Sequence, residues 1–307
     1  MWNLIKFQLL KKNLAAFQCF TGLNLAAFYE LLPSFEQAYA ADLDKRDKER
    51  AKKRQRERGG GRNGALSGLE NKLLFMLFYF KVYSVQEVQG YVFGMGQTQA
   101  GEWIHRLTPI LNQALGYEKQ LPARKAQDIE QVLKMCPDLE FIIDGTERPI
   151  RRPKSKKKQE DNYSGKKKRH TVKNNLVTEK RTKKVKVLSA TVEGKKHDKK
   201  LADEQAIPFP KGSKVWQDTG FQGHGPAGVT IYQPMKKPKG KDLTTEQKQK
   251  NKELSAERIG VEHSIGGVKT FRIVHDIFRN FREGFDDLVM ETACGLHNWR
   301  LDFRLTA

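Results

Sequence analysis

The chain has 307 residues, 38% of them hydrophobic, and a formal net charge of +21. That length allows two or three compact units with cores of their own, and the charge calls for a polyanionic partner, nucleic acid before anionic membrane. No segment reaches the ~20 apolar residues of a membrane span, the N-terminus lacks a secretory layout, and Cys19, Cys136 and Cys294 fit neither a disulfide framework nor zinc spacing.

Those three thiols read as buried side chains in a reducing cytoplasm. Residues 1–41 carry apolar positions at helical spacing: Leu4, Phe7 and Leu10, then Leu23, Leu25, Phe28, Leu31 and Leu32. They predict a helical N-terminal region of two or three short helices interrupted at Pro33. From 42 to 66 the composition turns to Lys, Arg, Glu and Asp and ends near Gly59, Gly60 and Gly61. Nothing there can bury a core, which predicts a charged linker or solvated helix.

A second unit is predicted over 67–125. Leu69, Leu73, Leu74, Met76, Leu77 and Phe80 make an apolar helix; a short helix over 84–93 follows, then a break at Gly94 and a helix from Gln97 to Leu107. Two short helices around a glycine turn suit a helix-turn-helix whose second helix enters the major groove. On that helix Gln97, Gln99, Glu102 and His105 are polar, whereas Ala100, Trp103, Ile104 and Leu107 could face a core. Plain packing of two helices would give the same pattern.

The third unit is predicted over 139–303. Residues 141–146 read Phe-Ile-Ile-Asp-Gly-Thr, a short buried strand ending on the carboxylate of Asp144. Residues 151–200 hold 20 Lys and Arg against five Asp and Glu. This basic run starts close to Asp144, which favours a substrate-facing role over a merely solvated one. His170 to Val177 and Lys184 to Val192 alternate around a charged turn and predict a hairpin; a helical stretch around Leu201 leads to a second strand ending on Asp218. A Pro- and Lys-rich insertion over 233–242 precedes a helix opening at Thr244 or Thr245 with a capping-box pair, Thr244 and Gln247. A last amphipathic helix is predicted over 285–303.

Within 255–269, at ~100° per residue, Arg258, Glu262 and Lys269 share one stripe, beside an apolar stripe of Val261, Ile265 and Val268. Gly260, Gly266 and Gly267 weaken that helix. Taken singly, each acid has a plainer reading: Asp144 in a turn, Asp218 in a loop, Glu262 paired with Arg258. Their order along the chain makes the joint case, strand-acid, hairpin, strand-acid, basic insertion, helix-acid. Three carboxylates form an oxygen-ligand set suited to Mg²⁺ or Mn²⁺, and two such ions ~3.5–4 Å apart serve phosphodiester chemistry, with neighbouring Lys and Arg holding phosphates.

The motifs resemble those of bacterial insertion-sequence transposases of the DDE superfamily. The likeness spans about residues 67–303. It rests on Asp144-Gly145-Thr146-Glu147-Arg148-Pro149, on residues 163–171 (Tyr-Ser-Gly-Lys-Lys-Lys-Arg-His-Thr), on residues 218–223 (Asp-Thr-Gly-Phe-Gln-Gly), and on the spacing of Arg258, Glu262 and Lys269. The resemblance implies an α/β, RNase H-like mixed five-stranded sheet with flanking helices, preceded by the helix-turn-helix. It implies Asp144, Asp218 and Glu262 as catalytic, metal-binding acids with two Mg²⁺ (or Mn²⁺) ions. It also implies cutting and joining of DNA at terminal inverted repeats, in a homo-oligomer, on the bacterial nucleoid. Where relatives carry Tyr three residues before the Arg, this chain has Ser255. DNA contacts are expected from Lys166, Lys167, Lys168, Arg169, Gln97, Gln99, Arg258 and Lys269. The alternatives are a transposase-derived DNA-binding protein without catalysis, an RNA-binding protein suggested by charge alone, and an aspartic protease suggested by Asp218-Thr219-Gly220, whose second acid a symmetric dimer could supply but for which a Lys-rich chain with a helical N-terminus is a poor host. His197-Asp198 reads as a surface or supporting pair, and Trp299 as core.

Overall fold

The computed structural model describes residues 4–50, 64–237, 240 and 242–304, and the side chains of 258–262 fall outside the described residues. Two compact units emerge: Met1–Leu121 with Thr270–Val274 and Leu288–Ala307, and Pro122–Lys269 with His275–Asp287. No described helix is long and apolar enough to cross a membrane.

The first unit is helical. It opens with α1 (Phe7–Leu10), α2 (Leu14–Thr21) and α3 (Leu25–Lys48). Phe7 stacks on Phe28 at 4.8 Å between ring centroids, and Phe17 meets Phe28 edge-on at 5.3 Å. α2 ends on Gly22 with φ +76°, where a side chain would also run into the Phe271 ring at 2.9 Å. Pro33 does not interrupt the helix, contrary to the sequence expectation; α3 runs through it and into the charged stretch. Asn24 caps its start by accepting the Ala27 N–H at 2.8 Å. Leu31 before the proline and Phe35 and Ala38 after it are all buried, so burial on both sides outweighs the backbone bond that proline removes. Cys19 is exposed, unlike Cys136 and Cys294, because it falls on the solvent side of α2, opposite the buried Phe17 and Thr21.

Then come α4 (Leu69–Val82), α5 (Gln86–Val92) and α6 (Gln97–Tyr117). Gly90 lets the α5–α6 turn close, since a Cβ there would meet the Met95 carbonyl oxygen at 2.6 Å. The buried Gln89 side chain donates to the Phe75 carbonyl at 3.0 Å and accepts from Ser84 at 2.7 Å, tying α5 to α4. α6 continues ten residues beyond Leu107, where the sequence reading ended it, and runs through Pro109. Ile104, Leu107, Ile110, Leu111 and Ala114 form one buried stripe across the proline, the same compensation as at Pro33.

The second unit is a mixed α/β fold. Its elements are α7 (Ala126–Lys134), β1 (Glu140–Pro149), α8 (Lys156–Asn162), β2 (Tyr163–Ser164), β3 (Arg169–Glu179), β4 (Val185–Leu188), β5 (Val192–Glu193), α9 (Asp198–Gln205), β6 (Lys214–Trp216), β7 (Thr230–Tyr232) and α10 (Thr245–Lys269). α11 (Phe285–Asp302) begins here, and from Leu288 its residues belong to the first unit. Among the described residues the sheet runs β4-β3-β1-β6-β7, and the two-residue pieces β2 and β5 add to β3. β4, β3 and β1 are antiparallel neighbours; β1, β6 and β7 are parallel. This is the architecture expected of an RNase H-like core.

The alternation of β1 divides the core. Phe141 and Ile143 pack on one face with residues of α7 and α9, Ile129, Leu133 and Ala202 among them. Ile142 and Trp216 pack on the other with Tyr232, Leu254 and Ile265, so α10 covers that face. The capping box forms as expected, with Gln247 N–H donating to Thr244 Oγ1 at 3.2 Å and Thr244 N–H to Gln247 Oε1 at 3.0 Å. The three glycines do not break α10, because its apolar stripe is held against the sheet. Lys180 reinforces that packing: its ammonium lies 4.0 Å from the Trp216 ring centroid and pairs with Glu257 on α10 at 2.6 Å.

Candidate active site

β1 does not end at Asp144, as the sequence suggested. It continues to Pro149, because β3 keeps pairing with it, Asp144 opposite Leu176 and Pro149 opposite Thr171. Its other neighbour, β6, stops at Trp216, opposite Ile142. The sheet therefore has a step, and Asp144 stands at it. The buried Arg148 secures the extension, donating to Asn174 Oδ1 at 2.9 Å, Thr191 Oγ1 at 3.0 Å and the Asp286 carbonyl at 2.9 Å.

Asp218 reaches the same step. It follows Trp216 by two residues with its backbone still extended, φ −87° and ψ 172°. Asp144 follows Ile142 by two, and Ile142 pairs with Trp216. Two neighbouring parallel strands thus place a half-exposed carboxylate at equivalent positions on the α10 face of the sheet. Each is oriented locally: Asp144 Oδ1 accepts the Gly145 N–H at 2.8 Å, and Asp218 Oδ1 accepts the Gly220 N–H.

Lys269, at the end of α10, donates to the Glu147 carbonyl at 3.3 Å. Burial, then the charge of Lys167, holds its pKa below the ordinary lysine value, while Asp144 and Glu147 pull the other way. The β2–β3 turn thus brings the basic loop to this acid site. Lys166, Lys167, Lys168 and Arg169 are all exposed there, on a tight turn in which the N–H groups of Lys167 and Lys168 donate to the Ser164 hydroxyl and carbonyl at 3.1 and 2.8 Å. Gln97 and Gln99 are exposed in the first turn of α6.

The side chains of Arg258 and Glu262 lie outside the described residues, although α10 passes through both positions. Among the described residues no three Asp, Glu, His or Cys side chains stand close enough to hold a metal ion. The donor set that Asp144 and Asp218 do present is all-oxygen and half-exposed, and such a set suits a hard divalent cation.

Asp198, read from the sequence as a surface or supporting acid, stands close to Asp218 but on the α9 side of β1, across the strand from the Asp144 side chain. It opens α9, and its Oδ1 lies 2.7 Å from where a Cβ on Gly145 would stand. Its Oδ2 lies 3.0 Å from the Cβ position of Gly220, a point 2.8 Å from Asp218 Oδ1, so the two carboxylates are no more than about 6 Å apart. Lys173, only 8% exposed, pairs with Asp198 at 3.0 Å and approaches Glu147 at 3.8 Å. The glycines after both strand acids were the available sequence signal: each leaves room for a carboxylate from elsewhere.

Comparison with known proteins finds two family matches along the chain. The family described as DDE superfamily endonuclease matches residues 143–298, and the helix-turn-helix of DDE superfamily endonuclease matches residues 64–116. A protein of Microchaete diplosiphon named as a probable transposase for insertion sequence element IS702 is 32% identical over 264 residues, covering 86% of this chain and 89% of that protein. No solved structure matches.

Proposed function

The chain belongs to the DDE superfamily endonucleases, and on that premise we propose that it is an insertion-sequence transposase that cuts and joins phosphodiester bonds at terminal inverted repeats. The observation that carries the reading is the paired placement of Asp144 and Asp218 at the sheet step, on the face α10 covers. With Glu262 from α10, these acids would hold two divalent cations, Mg²⁺ or Mn²⁺. Such ions, when bound, make water or a 3′-hydroxyl a stronger nucleophile and take up charge on the leaving oxygen.

The chain's own residues bind and orient the DNA. Gln97 and Gln99 present amides able to read adenine edges in the major groove. Lys166, Lys167, Lys168 and Arg169, with Arg258 and Lys269, hold the backbone phosphates near the acids. The work is done on bacterial chromosomal DNA in the cytoplasm, by a homo-oligomer that pairs two transposon ends.

A supercoiled donor plasmid bracketed by candidate inverted repeats provides the test. With Mg²⁺ the protein is expected to cleave at the repeat ends, to stop on chelation and to resume with Mn²⁺. Binding without cleavage under either ion would leave a DNA-binding protein derived from a transposase instead.

Replacing Lys166, Lys167, Lys168 and Arg169 with alanine should weaken duplex binding whatever the sequence. The slope of log K against log salt should flatten by about 0.9 for each phosphate that is no longer neutralised. Equilibrium binding over a salt series reads this, and an unchanged slope would remove the loop from the DNA interface.

A further inference from the structure

A cleft of about 1260 Å³ lies in the second unit, away from the paired acids. One wall is the chain leaving β1 and entering α8, with Arg151, Arg152, Lys154, Lys157 and Lys158; the other is the segment 278–286 before and into α11. That segment is fixed on β1's extension: Phe278 N–H donates to the Pro149 carbonyl at 2.8 Å, and Phe278 stacks on Phe285. Three residues on, Phe281 stands 78% exposed in the cleft wall, the most exposed of the chain's described phenylalanines. The Arg151 guanidinium lies 5.9 Å from its ring centroid. Arg152 is held by two bonds to Gln159, at 3.0 and 2.8 Å.

An aromatic face left in water beside guanidinium and ammonium groups matches the chemistry of an unpaired nucleotide, a flat base over a phosphate. Six cations line the cleft against four acids, an excess that favours a polyanion. The space exceeds the ~1,000 Å³ upper range of small-molecule pockets. A concave wall also admits a single strand more readily than a duplex cylinder. We propose that this cleft takes a single-stranded segment of the DNA, with one unpaired base stacked on Phe281 and the adjoining phosphates on Arg151, Lys154 and Arg282. Ile150 is six residues past Asp144 on the same strand line, about 20 Å at ~3.3 Å per residue. The stacked base would therefore lie about three to six nucleotides from the bond being cut, depending on how far the single strand is extended. This subsite rests on the reading of the protein as a DNA-cutting enzyme.

The test needs no cleavage. A short fluorescein-labelled single strand and its duplex are titrated by anisotropy, in chelator, against the full chain and its Phe281→Ala and Phe281→Trp variants. Phe281→Ala should lower single-strand affinity by about tenfold and leave duplex affinity nearly unchanged, whereas Phe281→Trp should keep it. A 2-aminopurine within roughly six positions of a frayed end should be quenched by wild type and by Phe281→Trp but not by Phe281→Ala. Unchanged single-strand affinity in Phe281→Ala, or an equal loss for strand and duplex, would overturn the subsite while leaving the plasmid cleavage result untouched. Quenching with no cleavage would count against the catalytic reading instead.

Discussion

Asparagine at Asp144 or Asp218 is expected to reduce strand cleavage by at least about a thousandfold and to leave duplex binding and folding nearly intact. The amide keeps the size of the side chain, and its oxygen can still accept the N–H of Gly145 or Gly220 that orients each acid. What it removes is one negative charge from the all-oxygen donor set proposed to hold a hard cation. Neither side chain is part of the apolar core, so the cost to folding is small. On the proposed reading, duplex binding rests on exposed groups elsewhere, on α6 and on the basic turn. The donor-plasmid assay, run beside a gel-shift titration and a melting curve for each variant, separates the three quantities. Full cleavage by either variant would remove that residue from the chemistry. Glu262→Gln belongs in the same experiment, since the sequence motif predicts the same loss.

Lys173→Met is expected to destabilise the second unit by about 3 kcal/mol and to lower cleavage as well. Lys173 is the cation of a largely buried cluster: it pairs with Asp198 at 3.0 Å, approaches Glu147 at 3.8 Å and donates to the Lys196 carbonyl at 2.8 Å. Methionine fills a similar volume but leaves both carboxylates without the ammonium they share. The repulsion falls on Asp198, which is lodged against the glycines after both strand acids, so the Asp218 carboxylate and the backbone that carries Asp144 should shift with it. Urea denaturation reads the stability loss. Adding Asp198→Asn should recover part of it, because the stranded charge is then gone. An unaltered denaturation midpoint in Lys173→Met would show that the cluster contributes nothing to the fold.

Much of this protein was legible in its sequence. Spacing alone placed α4, α5, α10 and α11, and the Thr244 and Gln247 pair marked where α10 begins, because both signals are local. The apolar β runs before Asp144 and Asp218 were legible for the same reason, although only the second stops close to its acid. Proline at 33 misled, since a local rule about one missing N–H takes no account of the buried stripe on either side.

Only the tertiary structure decided the rest. The length of β1 past Asp144 depends on β3, some thirty residues away, continuing to pair where β6 has stopped. Asp198 comes within about 6 Å of Asp218 because α9 packs against the turn that follows Asp218, and Phe281 lines a cleft because Phe278 is pinned to Pro149. Hydrophobic period and capping act over a few residues, so the chain records them directly. Ladder pairing and ion pairing depend on which distant segments become neighbours, and that is settled only when the core closes.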